Sequence, residues 1–207
     1  MVDQTGCRIV IAHGRENLHG ALRILEAAGF PGVLAIADAD FSRLEDGPLP
    51  AANLLMTDLH DLECMMIASP ALAKLLGEFA ETSRVNGFEQ RAGLEVDIDK
   101  LLKTVKNHSQ RHDLDDSAIR SRLGALRDAA HDPWQVSCGH DIVEMLSYAL
   151  RKTFAARKAA DVNRQSLERS LRLAYEPLYF VATKMFESIR QWEEANPSYR
   201  VLPSPLR

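Results

Sequence analysis

Two short apolar runs flank a helical repeat near the N-terminus, and this arrangement constrains the fold more than any other feature. Residues 7–12 and 33–37 are rich in branched aliphatic side chains, which is typical of strands buried on both faces. Between them leucines recur at spacings of four and three, and Gly29 is placed to end a helix in a left-handed conformation. This pattern predicts a βαβ unit with parallel strands and a right-handed crossover. We expect a third strand at residues 53–57.

The rest of the chain has a helical pattern almost throughout. We expect helices from Ser69-Pro70 through about Arg84, over 98–108 and 117–130, from Asp141 as N-cap to Phe154, from about Asn163 towards Tyr175, and along the apolar stripe from Leu178 to Trp192, with a short extended stretch at 134–137. Pro177 should end or kink the helix before it. The sequence thus predicts an α/β fold with a small, mainly parallel sheet, flanking helices and a helical C-terminal elaboration. Its expected parts are an α/β core over 1–68, a helical insertion over 69–132, and a C-terminal helical part over 133–207 that completes the same domain.

Composition excludes several classes of protein. The net charge of −4, from 25 basic and 29 acidic residues, is incompatible with a uniformly basic nucleic-acid coat. The sequence has no apolar run of the length that a membrane span needs, and its start lacks a secretory signal pattern. Cys7, Cys64 and Cys138 form an odd set without CxxC spacing, which argues against a disulfide framework and a cysteine zinc site. We therefore expect a cytoplasmic protein.

Two carboxylates follow the second predicted strand. Asp38 and Asp40 lie one residue apart at its carboxyl end, where open α/β sheets bind their ligands. If the strand continues through Asp40, both side chains share a face and can converge on one hard cation. The alternative is that one aspartate caps a turn and the other is solvated.

A second acidic group follows the third predicted strand, over residues 57–63. Thr57 or Asp58 can cap the next helix, and Asp61 suits the positive helix N-terminus, whereas Glu63 has no such explanation. Residues 38–63 contain seven acids against one base, a local net charge of −6. Oxygen ligands of this kind suit Mg²⁺ or Mn²⁺.

Two further features lie in the C-terminal part. Gly139-His140-Asp141 precedes a long helix; Gly139 and Asp141 are explained by a turn and a cap, while His140 could contact phosphate or act as a general acid or base. Residues 151–190 carry nine bases against four acids. This charge suits a backbone-binding face, and it equally suits a solvated helix.

Together these motifs resemble TOPRIM (topoisomerase-primase) domains. The similarity is to small TOPRIM-like proteins that accompany ABC-type ATPases in bacterial anti-phage systems, relatives of the overcoming-lysogenization-defect nucleases. It rests on Asp38-Ala39-Asp40, the segment Thr57-Asp58-Leu59-His60-Asp61-Leu62-Glu63, and Gly139-His140-Asp141-Ile142, and it spans about residues 7–67 and 133–155. The resemblance implies a TOPRIM-like sheet, with Asp38, Asp40 and Glu63 as ligands of Mg²⁺ or Mn²⁺ and with His140 and Asp141 at the rim.

The first motif departs from the family pattern. Where the family has Glu-Gly-x-x-Asp, this chain has His13 and Asn17 at the acidic positions. His13 can itself bind a transition metal or act as a base, and Glu16 lies in the same turn. Both residues are therefore candidates for the missing catalytic carboxylate.

The resemblance implies metal-dependent cleavage of phosphodiester bonds in DNA or RNA by an anti-phage effector. The expected partners are nucleic acid, an ABC-type ATPase and further copies of the chain, without a membrane. The alternative is a catalytically inactive TOPRIM-like binding or regulatory subunit of an ABC-type ATPase complex. A nucleotide-binding module at the same strand ends is more distant, because the sequence has no glycine-rich loop.

Overall fold

In the part of the chain that the structure describes, the protein is mixed α/β and mostly helical, with a small sheet of two parallel strands. The computed structural model describes residues 6–43, 52–80, 115–118, 120–121, 132–152 and 161–204. The strands are β1 (Ala35–Ala37) and β2 (Leu54–Met56), with Ala35 opposite Leu54. The helices are α1 (Arg15–Ala27), α2 (Leu62–Ile67), α3 (Ala71–Phe79), α4 (Pro133–Val136), α5 (Gly139–Lys152), α6 (Arg164–Ala174), α7 (Pro177–Val181) and α8 (Lys184–Ala195).

The predicted helix between the apolar runs is confirmed as α1. Gly29 has a φ of 63°, in the left-handed region, and its N–H donates to Glu26 O at 3.0 Å. Phe30 N–H donates to Leu25 O at 2.9 Å, which completes a Schellman motif. The glycine signal in the sequence therefore marked the end of the helix correctly.

The predicted first strand is wrong. Residues 7–12 have no regular secondary structure, and Ile9, Val10 and Ile11 are 56%, 76% and 73% exposed. The parallel pair consists instead of β1 and the predicted third strand, which β2 confirms. An apolar run fixes only the composition of a buried strand, whereas a strand also needs a partner edge for its backbone hydrogen bonds.

Helix α2 lies between two hydrophobic cores. On one side Met66 and Ile67 pack with side chains of α3, α5 and α6. On the other side Met65 packs with α7, α8 and residues of both strands. Four of its six residues are buried, so this short helix joins the sheet to the C-terminal helices.

Three predictions for the C-terminal part need correction. Residues 134–136 are helical and only Ser137 is extended, because Asp132 accepts a hydrogen bond from Trp134 N–H at 3.0 Å and Pro133 opens the helical turn of α4. Asp141 is not an N-cap, since α5 already begins at Gly139. The stripe from Leu178 to Trp192 is split into α7 and α8 at Thr183, whose hydroxyl accepts from Phe186 N–H.

Other predicted boundaries agree with the structure. Helix α6 begins next to Asn163 as expected, and Asn163 caps it by accepting a 3.0 Å hydrogen bond from Ser166 N–H. The helix ends before Pro177, which opens α7. Helix α3 begins at Ala71, one residue after Pro70. Some predictions lie outside the described residues. They are the whole helix predicted over 98–108, most of the helix predicted over 117–130, and the last residues of the helices predicted to end at Arg84 and at Phe154. No helix in the described ranges has both the length and the apolar character to cross a membrane.

We predict that Gly139→Ala lowers the free energy of unfolding by more than about 2 kcal/mol, although alanine is the better helix former. A Cβ at Gly139 would collide with Asp61 Oδ1 and lie 2.8 Å from Cys64 N. Chemical denaturation measures the loss. The matched control is Gly77→Ala in α3, where a Cβ meets nothing within 4 Å and a gain of about 0.5–1 kcal/mol is expected. Equal effects at the two glycines would contradict the predicted contact.

Candidate functional site

A pocket of about 430 Å³ lies at the carboxyl end of the two strands. The turn before α1 contributes His13, Gly14 and Arg15 to its lining, and the residues after β1 contribute Asp38 and Asp40. This is the edge of a parallel sheet at which α/β proteins bind their ligands. Both carboxylates of the Asp-x-Asp pair therefore line the same pocket.

Asp38 lies over the N-terminus of α2. Its carboxylate accepts the backbone N–H of Leu62, the first residue of that helix. Loss of surrounding water and then the charge of Asp61 raise the pKa of Asp38, and Asp40 adds to the shift. The negative charges of Asp61 and Asp40 thus make ionisation of Asp38 less favourable. A bound cation would offset this repulsion.

Asp40 is held by a cation of the protein itself. The strand does not continue through Asp40, as convergence of Asp38 and Asp40 on a shared strand face requires, because β1 ends at Ala37 and Asp40 has a left-handed φ of 46°. The Asp40 carboxylate forms an ion pair with the Arg15 guanidinium at 2.9 Å. Arg15 also donates a hydrogen bond to Ser42 Oγ at 2.6 Å. Because both charged side chains are well exposed, the pair contributes under about 1 kcal/mol, so a ligand can compete for either partner.

Glu63 and His140 lie near Asp38 but, like Asp141, do not line the pocket. Burial raises the pKa of Glu63, and the charges of Asp61 and Asp38 act in the same direction, whereas His140 lowers it. His140 also interacts electrostatically with Asp38. The structure therefore brings Asp38, Asp61, Glu63 and His140 into one electrostatic cluster between the N-termini of α2 and α5.

The structure adds Glu168 of α6, which sequence reasoning missed. Its carboxylate lies 3.5 Å from His140 Nδ1 and 2.8 Å from Arg164 Nε. Burial acts to raise the pKa of Glu168, but Arg164 and then His140 lower it overall. In the sequence this residue has only the appearance of a surface partner of Arg164 four residues away.

The predicted metal triad is not assembled as three close ligands. The ligand atoms of Asp38, Asp40 and Glu63 do not all lie within 4.8 Å of one another. Asp40 is held by Arg15, and Asp38 is held by the N–H of Leu62. The carboxylates share a region of the surface without forming a closed cage.

The remaining candidates from the first motif differ in position. His13 lines the pocket in a left-handed conformation with a φ of 55°, and its carbonyl accepts a hydrogen bond from Asn17. Glu16 is exposed on the first turn of α1 and does not line the pocket. Of the two residues that could replace the missing carboxylate, only His13 is at the site.

Residues 57–61, which we call the acidic loop, serve mainly to cap helices. Asp61 accepts from Cys64 N–H at 2.8 Å and from Gly139 N–H at 2.6 Å, at the start of α2 and of α5. Asp58 accepts from the N–H groups of Lys184 and Met185 at 2.6 and 2.8 Å, at the start of α8. The capping alternative from the sequence therefore applies to both aspartates, although Asp58 caps a helix far along the chain rather than the next one.

Three of the seven described bases in the basic C-terminal stretch pair with acids on their own helices. Arg164 and Arg172 contact Glu168, and Arg190 contacts Glu187 and Glu194. These are the i,i+3 and i,i+4 pairs of a solvated helix surface. The two alternatives from the sequence, a backbone-binding face and a solvated helix, therefore both stay open for this stretch.

The chain matches no protein-family model, and no curated protein or solved structure is significantly similar to it. The TOPRIM resemblance therefore stays a prediction that rests on the motifs of the sequence.

We predict that Asp38→Asn raises the free energy of unfolding at neutral pH without divalent ions, by on the order of 0.5 kcal/mol. The pKa of Asp38 is higher in the folded protein than in the unfolded chain. Ionised Asp38 therefore lowers the free energy of unfolding above the folded-state pKa. Below the unfolded-state pKa the side chain is protonated in both states and has no such effect. The amide oxygen of asparagine can still accept the Leu62 N–H. Denaturation at a series of pH values should show the difference between variant and wild type closing as the pH falls.

The matched control for this prediction is Asp161→Asn, because Asp161 is exposed and lies outside the pocket lining. Its effect on stability should be within about 0.5 kcal/mol at neutral pH. A stability difference for Asp38→Asn that is independent of pH, or of opposite sign, would contradict the assignment of an opposed charge at Asp38.

Proposed function

We propose that the protein is a divalent-metal-dependent nuclease that hydrolyses phosphodiester bonds of DNA or RNA on a TOPRIM-like core. The observation that carries the proposal is the pair Asp38 and Asp40 in one pocket at the carboxyl end of parallel strands. Arg15 and His13 line the same pocket, and the Arg15 guanidinium is suited to contact phosphate oxygens. The motif resemblance supports the same reaction and an effector role in anti-phage defence.

The residues present fit Mg²⁺ or Mn²⁺. Mg²⁺ is usually held by one or two carboxylates together with substrate phosphate and water, so a closed cage of three carboxylates is not required. Asp38 supplies an oxygen ligand whose charge is opposed by Asp61 and Asp40. Asp40 or Glu63 is the second ligand in this proposal.

The roles of the side chains follow from their positions. A bound divalent ion would polarise the phosphate and lower the pKa of a water molecule. In this proposal Arg15 releases the Asp40 carboxylate and binds a phosphate oxygen of the substrate instead. His140, held by Glu168, donates a proton to the leaving oxygen or accepts one from water. His13, which lines the pocket, is a second candidate base.

One observation favours a second candidate function. Arg15 already neutralises Asp40, and His13 occupies the position of the family's glutamate. A protein with this arrangement could keep the pocket for binding alone. The second candidate is therefore an inactive TOPRIM-like regulatory subunit of an ABC-type ATPase complex.

Nuclease assays distinguish the two candidates. We expect the purified protein to degrade DNA or RNA with Mn²⁺ or Mg²⁺ and to lose activity with a chelator. Asp38→Asn should lower the cleavage rate by at least about 100-fold, because it removes a metal ligand that acts in the transition state. Asp161→Asn should retain the wild-type rate. If the wild-type protein cleaves neither nucleic acid with either ion, the regulatory candidate replaces the nuclease.

A further inference from the structure

A second group of metal-ligand side chains lies behind the pocket. Ligand atoms of His60, Asp61 and Cys138 all lie within 4.8 Å of one another. His60 and Asp61 belong to the acidic loop, and Cys138 directly precedes α5. His60 and Asp61 are 5% and 4% exposed, and Cys138 is half-buried. Among the residues that the structure describes, no other set of three histidine, cysteine and acidic side chains comes this close.

We propose that His60, Asp61 and Cys138 form a zinc site, separate from the Mg²⁺ or Mn²⁺ of the proposed nuclease pocket. One nitrogen, one oxygen and one sulfur ligand suit Zn²⁺, whereas Mg²⁺ takes oxygen ligands. Three protein ligands leave one position of a tetrahedral ion for water.

The histidine is already oriented for binding. His60 Nδ1 lies 3.2 Å from the carbonyl oxygen of Gln135. A carbonyl oxygen only accepts hydrogen bonds, so Nδ1 carries the proton and Nε2 keeps its lone pair for a ligand. A hydrogen bond of the second ring nitrogen to a backbone carbonyl is the usual support of a zinc-binding histidine. The Phe41 ring packs against the His60 imidazole in an edge-to-face arrangement, with 4.9 Å between the ring centroids. This contact further restricts the orientation of the imidazole.

The local charge also favours a dication. The Asp61 carboxylate is buried, and the two N–H groups that it accepts leave each oxygen with a further lone pair. Asp38 and Glu63 add negative charge nearby. A neutral imidazole, a carboxylate and a thiolate would carry a charge of −2, which Zn²⁺ balances.

Such an ion would join the acidic loop to the start of α5. Cys138 and Asp61 are 77 positions apart in the chain, so the site has no cysteine spacing by which a sequence pattern could find it. The ion would hold α5, and with it His140, against α2. Its expected role is to fix the position of the side chains at the rim of the pocket.

Metal titration of the chelator-treated protein tests the proposal without any activity assay. We expect one equivalent of Zn²⁺ to bind, and Co²⁺ to give the near-ultraviolet absorption band of a thiolate ligand. Cys138→Ser should remove the band and weaken Zn²⁺ binding at least about tenfold. The control, Cys7→Ser, removes a thiol outside the cluster and should leave both unchanged.

A Co²⁺ complex without the thiolate band, or with the same band in Cys138→Ser, would overturn the proposal. If Cys138→Ser does not fold, alkylation of cysteines in the wild-type protein provides the test instead. Zn²⁺ should slow the modification of Cys138 at least about tenfold without changing that of Cys7, as measured by mass spectrometry of peptides. Equal rates with and without Zn²⁺ would also overturn it. These readouts are independent of cleavage, so a failure of the nuclease proposal would leave them unaffected.

Discussion

The buried carboxylate of Asp61 is the interaction on which the arrangement of the described helices depends. It accepts N–H groups from Cys64 and Gly139, so one side chain satisfies the start of α2 and the start of α5. Asp58, three residues earlier, does the same for α8. A buried N–H that loses its acceptor costs about 1–3 kcal/mol, so the two buried Asp61 contacts specify where α2 and α5 begin as well as stabilising them. The two hydrophobic cores on either side of α2 then pack against helices whose positions are already fixed.

The same loop determines the electrostatics of the pocket. Asp61 repels Asp38 and Glu63, and the N-termini of α2 and α5 only partly offset this charge. Asp61, which caps α2 and α5, thereby adds to the negative charge around Asp38. Asp58 and Asp61 hold helices, whereas Asp38, which follows β1, and Glu63 of α2 have ionisable groups that interact with His140.

Local signals in the sequence predicted local structure well. The end of α1 at Gly29, the start of α6 near Asn163 and the strand β2 were predictable, because each depends on residues within a few positions. Long-range pairing was not predictable. The apolar run at 7–12 has the composition of a strand but does not pair as one, and nothing in the sequence near Asp58 indicates that its partners are at Lys184 and Met185.

For the candidate site, the sequence placed Asp38 and Asp40 after the strand β1, and both line the pocket. The strand geometry expected to bring them together is wrong, because β1 ends at Ala37 and Asp40 lies in a left-handed turn. The ion pair of Asp40 with Arg15 and the contact of His140 with Glu168 required coordinates.

The bond between Asp58 and Met185 also sets an order of events during synthesis. Its two partners are separated by 127 residues, and Met185 itself lines the pocket. At ordinary rates of translation, roughly 6–25 s pass between the appearance of the first partner and that of the second. During this interval Asp58 has no amide to accept from α8 and the pocket lacks one of its walls. The nascent chain therefore completes this pocket only after Met185 has been made.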